Sequence, residues 1–179
     1  MAARDAQHSN GVDTARRECL SAVEMVARLD EEVHRASRLG AQLSCLLVSL
    51  DETGHLAQSY GEELPAQALA YIAAALIRQL RRFDRVGHAG ESELVVILPG
   101  ADARRAEIVA RRALGRLHSV KVEVSGRREA LRISVGIAAW REGLTAAELL
   151  SHTRLAAQRR ELEQASLNGA LDGVADGAR

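Results

Sequence analysis

Aromatic residues are nearly missing: one Trp, two Tyr and one Phe in 179 residues. Stacking platforms for nucleobases are therefore scarce, and a core must be assembled from Ala, Leu, Val and Ile. Lysine is rarer still, since Lys121 stands alone among 24 basic residues. Guanidinium forks suit two-pronged recognition of phosphate or guanine better than ammonium groups do, and genomic base composition accounts for the same bias equally well. The formal net charge is zero. No global field then draws the chain to nucleic acid or anionic lipid, so no DNA or RNA partner is expected. The only cysteines, Cys19 and Cys45, lie in apolar stretches and read as buried free thiols rather than a disulfide or metal site. No window approaches about 18 consecutive apolar residues, and the opening MAARDAQHSNGVD has no apolar h-region. A cytoplasmic chain without membrane insertion is expected. With 47% hydrophobic and 27% charged residues and two prolines, the balance is globular, and the length suits one domain.

Residues 1–12 are polar and expected to fray, as is the tail 167–179, rich in Gly, Ala and Asp; residues 13–166 read as one domain. Apolar residues recur at helical spacing through Ala15, Cys19, Ala22, Val26, Leu29, Val33 and Ala36, and Gly40 supplies a stop. This predicts a long first helix over residues 13–39. The run LSCLLVSL at 43–50 has the near-continuous apolarity of a central strand buried on both faces. Helical periodicity returns over residues 62–82. Residues 85–88 and 93–98 are β-prone around Ala89-Gly90, predicting a hairpin that ends at Pro99-Gly100. Residues 103–117 are amphipathic, and 120–124 and 131–140 read as strands. Thr145 reads as an N-cap, with Glu148 completing a capping box before a last helix to about residue 164. The order α-β-α-β-β-α-β-β-α predicts an α/β sandwich, a central mixed sheet flanked by helices.

The stretch DRVGHAGESELVVILPGAD resembles, without a gap, the pattern DxxARxGGDEFxxLLPxTD of the GGDEF family. Upstream, LSCLLVSLDETGHLAQSYG is similar to the family's LSLLLLDLDxFKxxNDxxGH. Downstream, RISVGIAAW resembles its vTvSIGvA strand, and TAAELLSHTRLAAQRRELEQA takes the place of its helix SAEELLxxADxALYxAKxxGRN. The resemblance spans about residues 15–166. It implies a nucleotidyl-cyclase-like fold with a ferredoxin-like palm. An active member joins two GTP molecules, one on each half of a dimer, into cyclic di-GMP by 3′-hydroxyl attack on the α-phosphate.

Residue by residue, the resemblance implies a dismantled active site. The metal-holding carboxylates fall at Ser49 and Ser92, uncharged positions that leave no two-metal site, so neither magnesium nor another cofactor is expected. Gly90 keeps the first signature glycine, but the second, which lets backbone approach phosphate, is Glu91. The Asn and Asp that read guanine fall at Ala57 and at Pro65-Ala66. Two family lysines fall at Gly54 and Glu161, and Ser21-Ala22-Val23 stands where Asn-Arg-Arg would be. Asp51 and Glu93 remain, reading as surface or hairpin residues rather than catalysts.

Many family members carry a second, inhibitory product site marked RxxD, and Arg81-Arg82-Phe83-Asp84 has that spacing. Arg81 and Asp84, three apart near a helix end, are expected to share a face, where Arg can donate to guanine O6 and N7 and Asp can accept from N1 and N2. Arg112 matches an arginine from the helix after the hairpin, and Arg35 one offered by a neighbouring subunit, which brings in a homodimer. Three readings of Arg81 and Asp84 stay open: a cyclic di-GMP site, a solvated ion pair of little weight, and an Asp that holds the helix-to-strand turn. His88 reads as structural. Trp140, Tyr60 and Phe83 read as packing residues, with a place under a base as the alternative for Phe83.

The expected function is that of a catalytically silent receptor that binds cyclic di-GMP and signals to an unidentified protein partner. The alternatives are a nucleotide-independent interaction module, acting through its first helix, and a diguanylate cyclase with residual activity.

Overall fold

Strand β1 (Leu43–Leu50) sends Leu46, Val48 and Leu50 into one hydrophobic cluster and Leu43, Cys45 and Leu47 into another. Alternating side chains point to opposite faces, so a strand with no polar face must be covered twice. The computed structural model describes residues 19–51, 53–117, 121–124 and 127–159. The expected terminal arms, the start of the expected first helix and Glu161 lie outside them.

Within these bounds the elements after β1 are α2 (Thr53–Tyr60), α3 (Leu64–Ile77), β2 (Arg85–His88), β3 (Glu93–Pro99) and α4 (Ala103–Leu117). They continue with β4 (Lys121–Val124), β5 (Arg127–Ala130), β6 (Ile133–Ala139) and a last helix, α5, over residues 146–159. Helix α1 (Ala22–Leu39) precedes them all. The main sheet has the order β2-β3-β1-β6. One face is covered by α3 and α4 through Ile72, Leu76, Ala110 and Leu117, the other by α1 and α5 through Met25, Leu29 and Leu149. Each fully buried Leu or Ile stabilises the fold by about 1.5–3 kcal/mol relative to exposure.

The α/β sandwich is as expected, but its sheet is antiparallel at every ladder rather than mixed. The helical crossover returns β2 in the direction of β1, and the hairpin slots β3 between them. A single parallel bridge joins Leu20 to Gly87 at the edge, where Leu20 N–H donates to Val86 O and His88 N–H donates to Leu20 O, both at 2.9 Å. Among the described residues, the helix before β1 begins at Ala22 and does not include Cys19 to Ser21, because Leu20 serves the sheet edge. Ser21 is its N-cap in a reciprocal capping box with Glu24, and Gly40, at φ 58°, closes it in the left-handed conformation.

Three further differences are local. Helix α2 carries no expected counterpart. The helix expected over 62–82 ends at Ile77, with Arg78 as C-cap. The strand expected at 120–124 does not join the sheet but pairs with β5 in a separate hairpin; RREA has no apolar alternation to announce itself. The predicted capping box of α5 is present: Thr145 N–H donates to Glu148 Oε2 at 2.8 Å, and Glu148 N–H to Thr145 Oγ1 at 3.3 Å. That helix lies directly on β6, since a Cβ at Gly136 would run into the backbone of Thr153 and Ala157. No described helix is long and apolar enough to cross a membrane.

Candidate functional site

The β2–β3 hairpin places its turn at the C-terminal end of β1. Ser49 is the register partner of Glu93, Leu50 N–H donates to Ser92 O at 2.9 Å, and Ala89 N–H donates to Glu93 O at 2.9 Å. Ser49, Asp51, Ser92 and Glu93 thus meet at one end of the sheet. Both remaining carboxylates are occupied there. Arg154, reaching over from α5, donates from Nε to Glu93 Oε1 and Oε2 at 2.9 and 3.0 Å and from Nη2 to Oε2 at 2.6 Å. Its Nη2 also donates to Ala89 O at 3.3 Å. The Glu93 hydrogen bond raises the Arg154 pKa further, outweighing desolvation. Gly90 admits this arrangement, as a Cβ there would stand 3.2 Å from Glu93 Oε2. Asp51 Oδ2 accepts from Ser134 Oγ at 2.8 Å, and Asp51 N–H donates to Arg132 O at 3.0 Å, which tethers it to the β6 side.

Glu91 lines a cavity of about 210 Å³ with Cys19, His88, Ala66, Leu69 and Ala73, between α3 and the hairpin. Ligand pockets usually run from about 300 to 1,000 Å³, so this one is small. Ala57 lies on the preceding α2, half-buried. Both cysteines are free. Burial pushes the Cys19 thiol up to about 11 and Cys45 to about 12. They are therefore protonated and poor nucleophiles. Among the described residues no group of three His, Cys, Asp or Glu side chains could hold a metal ion.

The RxxD segment departs from expectation in its geometry. Because α3 ends at Ile77, Arg81 and Asp84 stand in the connection to β2 and not on a helix face. The Asp84 carboxylate accepts from the Arg81 main-chain N–H at 2.8 Å, and Asp84 N–H donates to Arg81 O at 3.0 Å. Arg85 Nη1 donates to the carbonyls of Arg82 and Asp84 at 2.7 and 2.9 Å. Burial raises the Asp84 pKa, against the lowering effects of the Arg81 N–H and the Arg81 and Arg85 charges. A cleft of about 410 Å³ opens here, lined by Leu20, Leu80, Arg81, Arg82, Asp84 and Arg85 among others.

Phe83 does not pack: it is 74% exposed, between Arg82 and Asp84 in the chain, and is not itself among the residues that line the cleft. Trp140 does pack, with its indole N–H donating to Leu144 O at 2.9 Å. Neither Arg112, exposed on α4, nor Arg35 lines the cleft. Arg35 sits on α1, on the opposite face of the sheet, 3.5 Å from the buried Glu32. Sequence reasoning missed Arg154 altogether, since nothing local marks a residue whose partner is 61 positions away.

A four-stranded antiparallel sheet with helices on both faces and a hairpin beside its central strand defines an α/β sandwich. Residues 23–166 match the family model described as diguanylate cyclase, GGDEF domain, and the chain belongs to that family. Diguanylate cyclase DgcP of Pseudomonas aeruginosa is 27% identical over 121 residues, covering 68% of this chain but only 18% of that protein's length. Among solved structures, diguanylate cyclase SiaD of Pseudomonas aeruginosa, crystallised with its activator SiaC, superposes with a TM-score of 0.77 at 22% identity, over 90% of this chain and 66% of that one. The GGDEF domain of DgcB from Caulobacter crescentus, in complex with c-di-GMP, gives 0.77 at 15% identity, over 82% and 85%. At these identities the two structures speak to the fold alone.

Proposed function

We propose that this GGDEF-family domain does not cyclise GTP and instead serves as a cyclic di-GMP receptor through the cleft at Arg81 and Asp84. The observation that carries the reading is a contrast between two places. The cleft of about 410 Å³ is lined by Arg81, Arg82, Arg85 and Asp84 among others, whereas the cavity beside the hairpin has about 210 Å³ and a glutamate, Glu91, in its lining. Guanidinium groups donate to guanine O6 and N7 or to phosphate, and the second oxygen of Asp84 is available to accept from guanine N1 or N2.

The hairpin site fits a divalent cation poorly. Ser49 and Ser92 supply only neutral hydroxyls, and Glu93 already neutralises Arg154. Hard divalent cations are held chiefly by carboxylates, so the receptor works without a metal cofactor. Arg112, on the helix after the hairpin, belongs to this reading as a further residue of the same chain, and Arg35 as one that a second copy would bring to the ligand; neither lines the cleft itself. Calorimetric titration with cyclic di-GMP is expected to give micromolar or tighter binding that Arg81→Ala abolishes, while GTP with magnesium or manganese yields no dinucleotide. Absence of heat at high ligand concentration overturns the receptor, and any cyclic or linear dinucleotide overturns the inactive site.

One observation favours a second reading, a nucleotide-independent interaction module. Helix α1 leaves Val23 and Val26 80% and 56% exposed. Light scattering and pull-down would then find a stable protein partner, or a second copy, whose association ignores cyclic di-GMP.

A further inference from the structure

Phe83 is the single phenylalanine of a chain with four aromatic residues, and it stands in water between Arg82 and Asp84. Of the others, Trp140 and Tyr60 pack against the two cores and Tyr71 is half-buried on α3. Phe83 is thus the aromatic ring that the described structure leaves open to a ligand.

Its setting is held rigidly. The Asp84 carboxylate and N–H both return to the Arg81 backbone, and the Arg85 guanidinium closes on the carbonyls of Arg82 and Asp84. Arg85 and one oxygen of Asp84 are therefore committed to the turn. Arg81, Arg82 and Phe83 remain exposed on it. A pinned turn presents these groups with little ordering left to do on binding. An aromatic face beside guanidinium groups suits a purine: the ring offers a stacking surface, and arginine offers donors to its edge or to phosphate.

We infer that Phe83, exposed between the cleft-lining Arg82 and Asp84 without lining the cleft itself, is a stacking platform for a guanine base that protrudes from the Arg81–Asp84 cleft, with the Arg82 guanidinium on the ligand's phosphodiester. This rests on the receptor reading and adds two residues to it.

The test titrates cyclic di-GMP into the wild type, Phe83→Leu, Phe83→Tyr and Arg82→Ala, with melting curves to compare folding. Because Phe83 is 74% exposed, its replacement leaves both cores intact. Phe83→Leu is expected to bind about tenfold more weakly, within the range that base stacking on an aromatic ring supports, and Phe83→Tyr to bind as the wild type does. Arg82→Ala is expected to weaken binding and flatten its salt dependence. Equal affinity of Phe83→Leu and wild type overturns the stacking role and leaves the receptor standing, as does an equal loss in Phe83→Tyr. A wild type that binds nothing overturns both.

Discussion

Arg154 on α5 and Glu93 on β3 form a forked ion pair, Nη2 to Oε2 at 2.6 Å, that fastens the last helix to the signature hairpin across 61 residues of sequence. The arginine also caps the carbonyl of Ala89, so one side chain holds both ends of the hairpin turn.

Removing that arginine strands a carboxylate that is only 19% exposed. Arg154→Ala is expected to cost about 1–2 kcal/mol, well below the roughly 3–5 kcal/mol of a fully buried pair, because the 37% exposed guanidinium is partly screened by water. Urea denaturation measures this. The variant is not expected to gain cyclase activity, because Ser49 and Ser92 still lack charge.

Asp84 has two separable duties. Asp84→Asn keeps an oxygen for the Arg81 N–H and removes a charge that burial disfavours, so its stability at neutral pH is expected to equal or slightly exceed that of the wild type. Asp84→Ala loses the turn bond and about 1 kcal/mol. Both should weaken cyclic di-GMP binding, which calorimetry would show alongside the melting curves.

Gly136→Ala is expected to destabilise the domain by at least about 1–3 kcal/mol, because its Cβ meets backbone of α5 rather than a side chain that could turn away. A lower urea midpoint at unchanged slope would mark lost stability without a change in compactness.

The pH dependence has two opposing parts. Glu24 and Glu148 have lowered pKa values, through hydrogen bonds from Ser21 and Thr145 respectively. Their contribution is present above the ordinary glutamate range and is lost as pH falls through the lowered values. Asp84 runs the other way: its raised pKa favours the fold at low pH, and that help is lost as pH rises through the raised value. Urea midpoints across the acid range should fall less steeply in Glu24→Gln, Glu148→Gln than in the wild type, and more steeply in Asp84→Asn.

Several features that depend on spacing within a few turns were legible in the sequence, although helix α2, the Ser21–Glu24 box and the β4–β5 hairpin were not. The double-faced β1, the hairpin around Ala89-Gly90, the Gly40 stop and the Thr145–Glu148 box each rest on neighbours in the chain, and each is present. The gap-free match to the signature pattern likewise led to the family. Only the tertiary structure decided which groups occupy one another. The Glu93–Arg154 pair, the Leu20–Gly87 bridge just before α1, and the exposure of Phe83 on a turn pinned by Arg85 all depend on packing or on early helix termination. Helical periodicity continues through Cys19 and through residues 78–82, yet the backbone there leaves the helix. Edge pairing at Leu20 and the Asp84 hydrogen bonds satisfy the main chain as well as another helical turn would, and bring the chain to β2.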